Sequence, residues 1–196
     1  MQSNAAQHIF ITGACGAGKS TLAKALSHQL QLPLHRLDDD PDFREMLPYE
    51  PDLNRLTDPQ RYAQWQALRR HLVEEAVKLP QQYIIEGTHI LTAPEWTTEH
   101  RRILVDTPLH QILRQYLARG RAHDAANPAR HPGAPGSAAA WQRAARARQI
   151  SEGLRPEIEA FRQLPGIAIV PGRACKTWLR KQVHRRGMGK RMTDRP

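Results

Sequence analysis

The chain has 196 residues, 40% of them hydrophobic, and 29 Lys and Arg against 19 Asp and Glu give it a formal net charge of +10. That length suits one domain able to bury a core, and no apolar run approaches the ~20 residues of a membrane span. Two cysteines, Cys15 and Cys175, are too few for a disulfide scaffold, and Met1-Gln2-Ser3-Asn4 opens no secretory signal, so a reducing cytoplasm is the expected setting.

His8–Thr12 reads as a short buried strand. The next residues, Gly13-Ala14-Cys15-Gly16-Ala17-Gly18-Lys19-Ser20, satisfy G-x-x-x-x-G-K-[ST] at every fixed position, and Thr21 follows. Leu22, Ala25, Leu26 and Leu30 then recur at helical spacing. Strand, glycine loop and helix together make this pattern a phosphate site. Residues without a Cβ let the backbone curl and aim its N–H groups inward, and the helix that starts there favours negative charge. In such a loop Lys19 is expected on the β- and γ-phosphates and the Ser20 hydroxyl on Mg²⁺. Cys15 is expected close to the same phosphates.

Further strand-like and helix-like runs alternate, the signature of a parallel α/β sheet. Pro33–Leu37 reads as a second strand ending in Asp38-Asp39-Asp40. Residues 59–79 read as a helix with Tyr62, Trp65, Leu68, Leu72, Ala76 and Leu79 as its apolar contacts. Tyr83–Ile85 is a third strand, ending at Glu86-Gly87-Thr88. Ile103–Val105 is a fourth, ending at Asp106-Thr107-Pro108, and a helix is expected over 109–119. A loop rich in Pro, Gly, Arg and His spans Gly120–Ser137. A helix over 138–163 and a fifth strand, Ile167–Val170, follow.

Ligands of open α/β sheets bind beyond the carboxyl ends of the strands. Those ends carry Asp38–Asp40, Glu86 and Asp106, with Thr88 and His89 just after. Carboxylates facing a phosphate loop can orient Mg²⁺ or accept the proton of an attacking hydroxyl. Glu86, between two isoleucines and a glycine, is read as functional, and Asp106 as a helix cap. Asp38 ends its strand and should face the site. Asp40 shares that side if the chain stays extended, with Asp39 then facing away. Arg119 and Arg121, at the junction of helix and loop, are the best-placed clamps for a transferred phosphoryl, ahead of Arg114 and Arg130.

Taken together, the glycine loop, the acids after the second strand, the carboxylate after the third and the arginine-bearing loop resemble the P-loop kinases of the nucleoside-monophosphate-kinase-like (adenylate-kinase-like) group, over roughly residues 8–175. The resemblance implies a P-loop NTPase fold, three-layer α/β/α, with a five-stranded parallel sheet in the order 2-3-1-4-5 that sets Glu86 beside the loop. It implies a kinase-like domain over 1–186 with a short lid near 120–137, and a basic tail over 187–196. ATP would lie along Gly13–Thr21, with Arg173 bordering the adenine. Ser20 and Glu86 would hold Mg²⁺, and Lys19, Asp38 or Asp40, Glu86, Arg119 and Arg121 would serve phosphoryl transfer. Ile84–Thr88 is similar to the corresponding strand of zeta-toxin-type kinases. The stretch Asp38–Arg44 resembles polynucleotide 5′-hydroxyl kinases, with one residue too many between Asp40 and Arg44.

The expected activity is ATP- and Mg²⁺-dependent phosphoryl transfer to a hydroxyl or phosphate of a small molecule or nucleotide. Two alternatives stand beside it. One is a polynucleotide kinase or nucleic-acid-linked ATPase, favoured by the basic residues from Lys176 to Arg195. The other is a nucleotide-binding regulatory switch with slow hydrolysis. No membrane partner is expected, and the sequence leaves the acceptor and the oligomeric state open.

Overall fold

The computed structural model describes residues 7–41, 59–126, 145, 148–149, 151–172 and 178, with the side chains of 59–62, 116 and 119–126 excepted. Five parallel strands form one sheet: β1 (Ile9–Thr12), β2 (Leu34–Arg36), β3 (Ile84–Glu86), β4 (Arg101–Asp106) and β5 (Ile167–Pro171). Their order is β2-β3-β1-β4-β5, the order expected. The helices are α1 (Lys19–Leu30), α2 (Pro59–Val77), α3 (Leu109–Ala126) and α4 (Arg155–Arg162).

Strand alternation builds a core on each face of the sheet. Ile9 and Ile11 of β1, with Ile103 and Val105 of β4, point to the face covered by Leu22, Ala23 and Leu26 of α1 and Ile112 of α3. Phe10, Ile85 and Leu104 point the other way, to Val73 and Ala76 of α2 and Phe161 of α4. The result is three layers, α/β/α. All four residues of β1 are buried, which fits a strand flanked on both sides by neighbours. Among the described residues no helix is long and apolar enough to cross a membrane.

Four local expectations change. Asp38 and Asp39 do not continue β2. Leu37–Asp39 forms a 3-10 turn, so the alternation argument that set Asp40 beside Asp38 does not hold. Helix α3 runs on to Ala126, and Arg119-Gly120-Arg121 therefore lies inside a helix rather than at its junction with a loop. Ala122, Ala125 and Ala126 are strong helix formers and carry the helix past Gly120, while the first proline comes only at Pro128. Residues 120–126 of the expected lid are thus helical, and 127–137 lie outside the described residues. The single helix expected over 138–163 is interrupted at Leu154, between helical residues 151–153 and α4. Gly153 and Pro156 flank that break, and Pro156 occupies the first turn of α4, where its missing N–H costs nothing. Along α2 the fully buried line is Arg69, Val73 and Ala76, with Trp65, Leu68, Leu72 and Leu79 half-buried beside it.

The amino end of the sheet is held by two histidines. The Nδ1 of His8 accepts the Tyr83 N–H at 3.2 Å, and the Nδ1 of His100 accepts the His8 N–H at 3.2 Å. The rings lie 4.9 Å apart. Burial lowers the pKa of both, and the neighbouring His8 charge lowers that of His100 further. A depressed histidine pKa means the unfolded chain takes the proton first. The stability is therefore complete above the ordinary value of about 6.5 and is lost as pH falls through and below it. Thermal melts should show a lower midpoint at pH 5.5 than at pH 7.5. His100→Gln keeps an acceptor without a titration and should flatten that difference; an unchanged difference would remove His100 as a source.

Candidate functional site

The loop between β1 and α1 is shaped by close approach and by backbone hand. Gly13 has φ +141°, and a Cβ there would collide with the Val105 carbonyl of β4. Gly16 and Gly18 also have positive φ, at +79° and +104°. Gly18 caps α1 without a side-chain hydrogen bond, and the first turn of α1 contains no acid. The helix N-terminus therefore faces the loop with its donors uncommitted to a carboxylate, the arrangement that attracts an anion. Lys19 is buried, and its Nζ donates to Ala14 O across the loop at 3.1 Å. Thr107 Oγ1 donates to Ala17 O at 2.7 Å, and Thr12 Oγ1 to Gly87 O at 3.0 Å, so two threonines tie the loop and the end of β3 to the sheet.

Glu86 stands where β3 ends, next to β1, and its side chain is fully buried. Oε1 accepts from Ser20 Oγ at 2.9 Å and from Arg36 Nε at 2.9 Å. Arg36 and Glu86 are register partners on β2 and β3, which is how a residue of the edge strand reaches the loop. Arg36 Nη1 also pairs with Asp39 Oδ2 at 2.7 Å. Hydrogen bonding to Glu86, then the charges of Asp39 and Glu86, raise the Arg36 pKa against its partial desolvation. Glu86 Oε2 is buried and makes no hydrogen bond among the described residues. A buried carboxylate oxygen without a partner is costly unless something fills its place. A hydroxyl and a carboxylate oxygen are hard donors, which fit Mg²⁺.

Asp38 sits on the 3-10 turn after β2. Its Oδ1 lies 3.2 Å from Nδ1 of His89, which is fully buried. Burial pushes the Asp38 pKa up, but the adjacent His89 imidazole, then the Lys19 charge, outweigh it, and the net direction is downward. Asp38 is thus an ionised carboxylate within the field of the loop lysine. Asp40 bears on His35 of β2, whose pKa it raises against a larger effect of burial. Asp106 is no helix cap: it pairs with Arg162 of α4 at 2.9 Å.

The structure thus gathers Gly13, Ala14, Cys15, Gly16, Ala17, Gly18, Lys19 and Ser20 with Glu86 at one end of the sheet, and Asp38 close by. Thr21 is exposed on α1. The side chains of Arg119 and Arg121, and all of Arg44, Arg130, Arg173 and the basic tail, lie outside the described residues. Arg36 and Arg69 were not singled out by sequence reasoning, and His89 was named there only as following the third strand, without a role. Arg69 is buried on α2, stacks on Trp65 at 4.4 Å and donates to Thr88 O at 2.9 Å, anchoring the segment after β3. A basic residue on the same ridge as Val73 and Ala76 was the available signal.

Cys15 is a half-buried free thiol inside the loop, packed against the core cluster that contains Phe10. A thiol reagent should abolish nucleotide-dependent activity, and ATP with Mg²⁺ should slow the labelling. Equal labelling rates with and without nucleotide would place Cys15 away from the bound phosphates.

In sequence the chain matches no curated relative. In structure it is similar to shikimate kinase from Acinetobacter baumannii in complex with shikimate, with a TM-score of 0.55 at 13% identity over 92% of this chain and 94% of that one. Shikimate kinase from Bacteroides thetaiotaomicron gives 0.54 at 17% identity, covering 91% and 98%. Deoxyadenosine kinase from M. mycoides with bound dATP gives 0.53 at 14% identity, covering 92% and 100%. These likenesses establish the fold as that of P-loop kinases. The AAA domain model matches residues 9–128, which run from β1 past the end of α3 and take in the glycine loop, Asp38, Glu86 and Asp106. On that match, over more than half of its length, the chain belongs to the AAA domain family.

Proposed function

We propose that the chain is an ATP- and Mg²⁺-dependent phosphotransferase acting on a hydroxyl or phosphate of a small molecule or nucleotide. The observation that carries this reading is the pair Ser20–Glu86: a loop hydroxyl bonded to one oxygen of a buried carboxylate whose other oxygen has no hydrogen-bond partner among the described residues. Ser20 and Glu86 would hold Mg²⁺, which supplies charge neutralisation on the phosphates when bound. Lys19 would leave Ala14 O for the β- and γ-phosphate oxygens. The backbone N–H groups of residues 13–20 and the start of α1 would cradle the phosphate chain. Arg36 keeps Glu86 oriented. Arg119 and Arg121 remain the candidate clamps on the transferred group, and Arg173 the candidate neighbour of the base. A cytoplasmic setting suits such an enzyme.

Phosphate transfer from γ-labelled ATP should be measured against pools of nucleosides, sugars, nucleoside monophosphates and oligonucleotides. Acceptor-dependent labelled product is expected from a small-molecule pool. Label in oligonucleotides alone would favour the nucleic-acid reading. Hydrolysis without any acceptor product would favour the switch.

A further inference from the structure

The strands begin at the end of the sheet opposite the phosphate loop. There, where Ile9 opens β1 and Arg101 opens β4, the α1 side of the sheet holds a cavity of about 210 Å³. Ile9 and Ile103 of the sheet, Leu26 and Leu30 of α1, and Trp178 wall it with apolar surface. From Lys19 to Leu26 the helix runs about 10 Å, so the cavity stands apart from the loop.

Arg101 and Arg102 line the same cavity, and among the described residues no acid does. Arg101 is exposed, but Arg102 is only 5% exposed. Its Nη2 donates to Pro165 O, in the turn that leads into β5. The next residue, Gly166, is itself part of the cavity wall, and a Cβ there would lie 3.9 Å from Arg102 Nη2. The guanidinium is therefore set at the cavity beside Gly166. Its Nε and Nη1 are buried and have no hydrogen-bond partner, and among the described residues no carboxylate pairs with it. Arg36, Arg69 and Arg162 each have a carboxylate within reach. A buried cation is costly unless it is paired, and a buried N–H unless it meets an acceptor. Arg102 lacks both remedies.

A ligand that satisfies Arg102 must bring a negatively charged acceptor oxygen, and one that fills the cavity must be apolar. A dry cavity of about 150 Å³ accepts benzene. This one has room for a ring or a short branched chain that carries a carboxyl group. Free phosphate suits it poorly, because most of its oxygens would face apolar walls. We infer that the cavity is a binding site for a small apolar monocarboxylic acid, with its carboxylate on Arg102 and its body against Trp178 and the leucines of α1. The site stands independently of the phosphotransferase reading.

The test titrates the full chain with 3-methylbutanoate, benzoate and 3-phenylpropionate, and with the amide of each, by calorimetry. At least one acid should bind with a Kd of about 1 mM or tighter, and its amide about 10-fold or more weakly. Failure of all three acids, or equal affinity for acid and amide, would overturn the inference. Arg102→Met keeps an apolar stem of similar length and removes the charge, so it should bind acid and amide alike. A preference for the acid that survives this change would also overturn it. Protein-observed NMR of the wild type locates the ligand even if that variant fails to fold. Shifts are expected at the Trp178 indole N–H and the Ala168 amide. Shifts confined to the amides of Gly16 and Gly18 would place the acid on the phosphate loop and sink the assignment.

Discussion

Lys19→Ala is expected to lower nucleotide-dependent turnover on the order of 100- to 1,000-fold, the cost of removing a preorganised group from a site of developing charge. Lys19 is 6% exposed, and its hydrogen bond is to a neutral carbonyl, Ala14 O. Among the described residues no carboxylate lies within ion-pair distance of it. A buried ammonium held this way has no direct ion-pair partner, only the field of Asp38, and the loop around it has donors but no anion. Phosphate would supply what is missing on both counts. The fold should hardly notice the change. Removing Nζ breaks one bond to a carbonyl, about 1 kcal/mol, and relieves the desolvation of the charge. Circular dichroism and a thermal melt should match wild type, and the ATP-induced rise in melting temperature should disappear. Wild-type turnover in the variant would mean that the loop is not the phosphate site.

Where sequence reading succeeded, the signals were local. Strand β1, the loop and α1 each carry their cause in adjacent residues: an apolar run, three glycines needing positive φ, and leucines at helical spacing. The sheet order came with the family resemblance, and the observed order agrees. The parts that were not legible depend on register or on backbone reversal. Arg36 reaches Glu86 because parallel pairing of β2 and β3 sets them side by side, a relation that nothing within either strand encodes. His89 meets Asp38 through a 3-10 turn at each strand end, whereas strand periodicity alone carries Asp38 and Asp40 onward together. Arg69 is buried on α2, where apolar counting placed leucines, because its guanidinium lies over Trp65 and finds a carbonyl partner in Thr88 O. The extension of α3 to Ala126 follows from alanines outweighing one glycine.

Glu86 is the residue whose loss should separate chemistry from folding most sharply. Glu86→Gln keeps the volume and an acceptor oxygen for Ser20 and Arg36, so its melting temperature should stay near wild type. It replaces the unpartnered Oε2 with an amide or leaves it neutral, and either change removes the negative charge offered to a cation. Turnover should fall on the order of 100-fold or more, and the Mg²⁺ concentration needed for half-maximal rate should rise. Glu86→Ala should behave differently. It deletes a buried acceptor and leaves Arg36 with Asp39 alone. Breaking a fully buried pair costs about 3–5 kcal/mol, and the side chain of Arg36 is 32% exposed, so water offsets part of that loss. A clear destabilisation below that range is expected, together with the same loss of turnover. The two variants thus share the kinetic defect and differ in the melt. If Glu86→Gln kept wild-type turnover and Mg²⁺ dependence, the carboxylate would be a structural anchor for Arg36 and Ser20, and the metal would have to be held elsewhere.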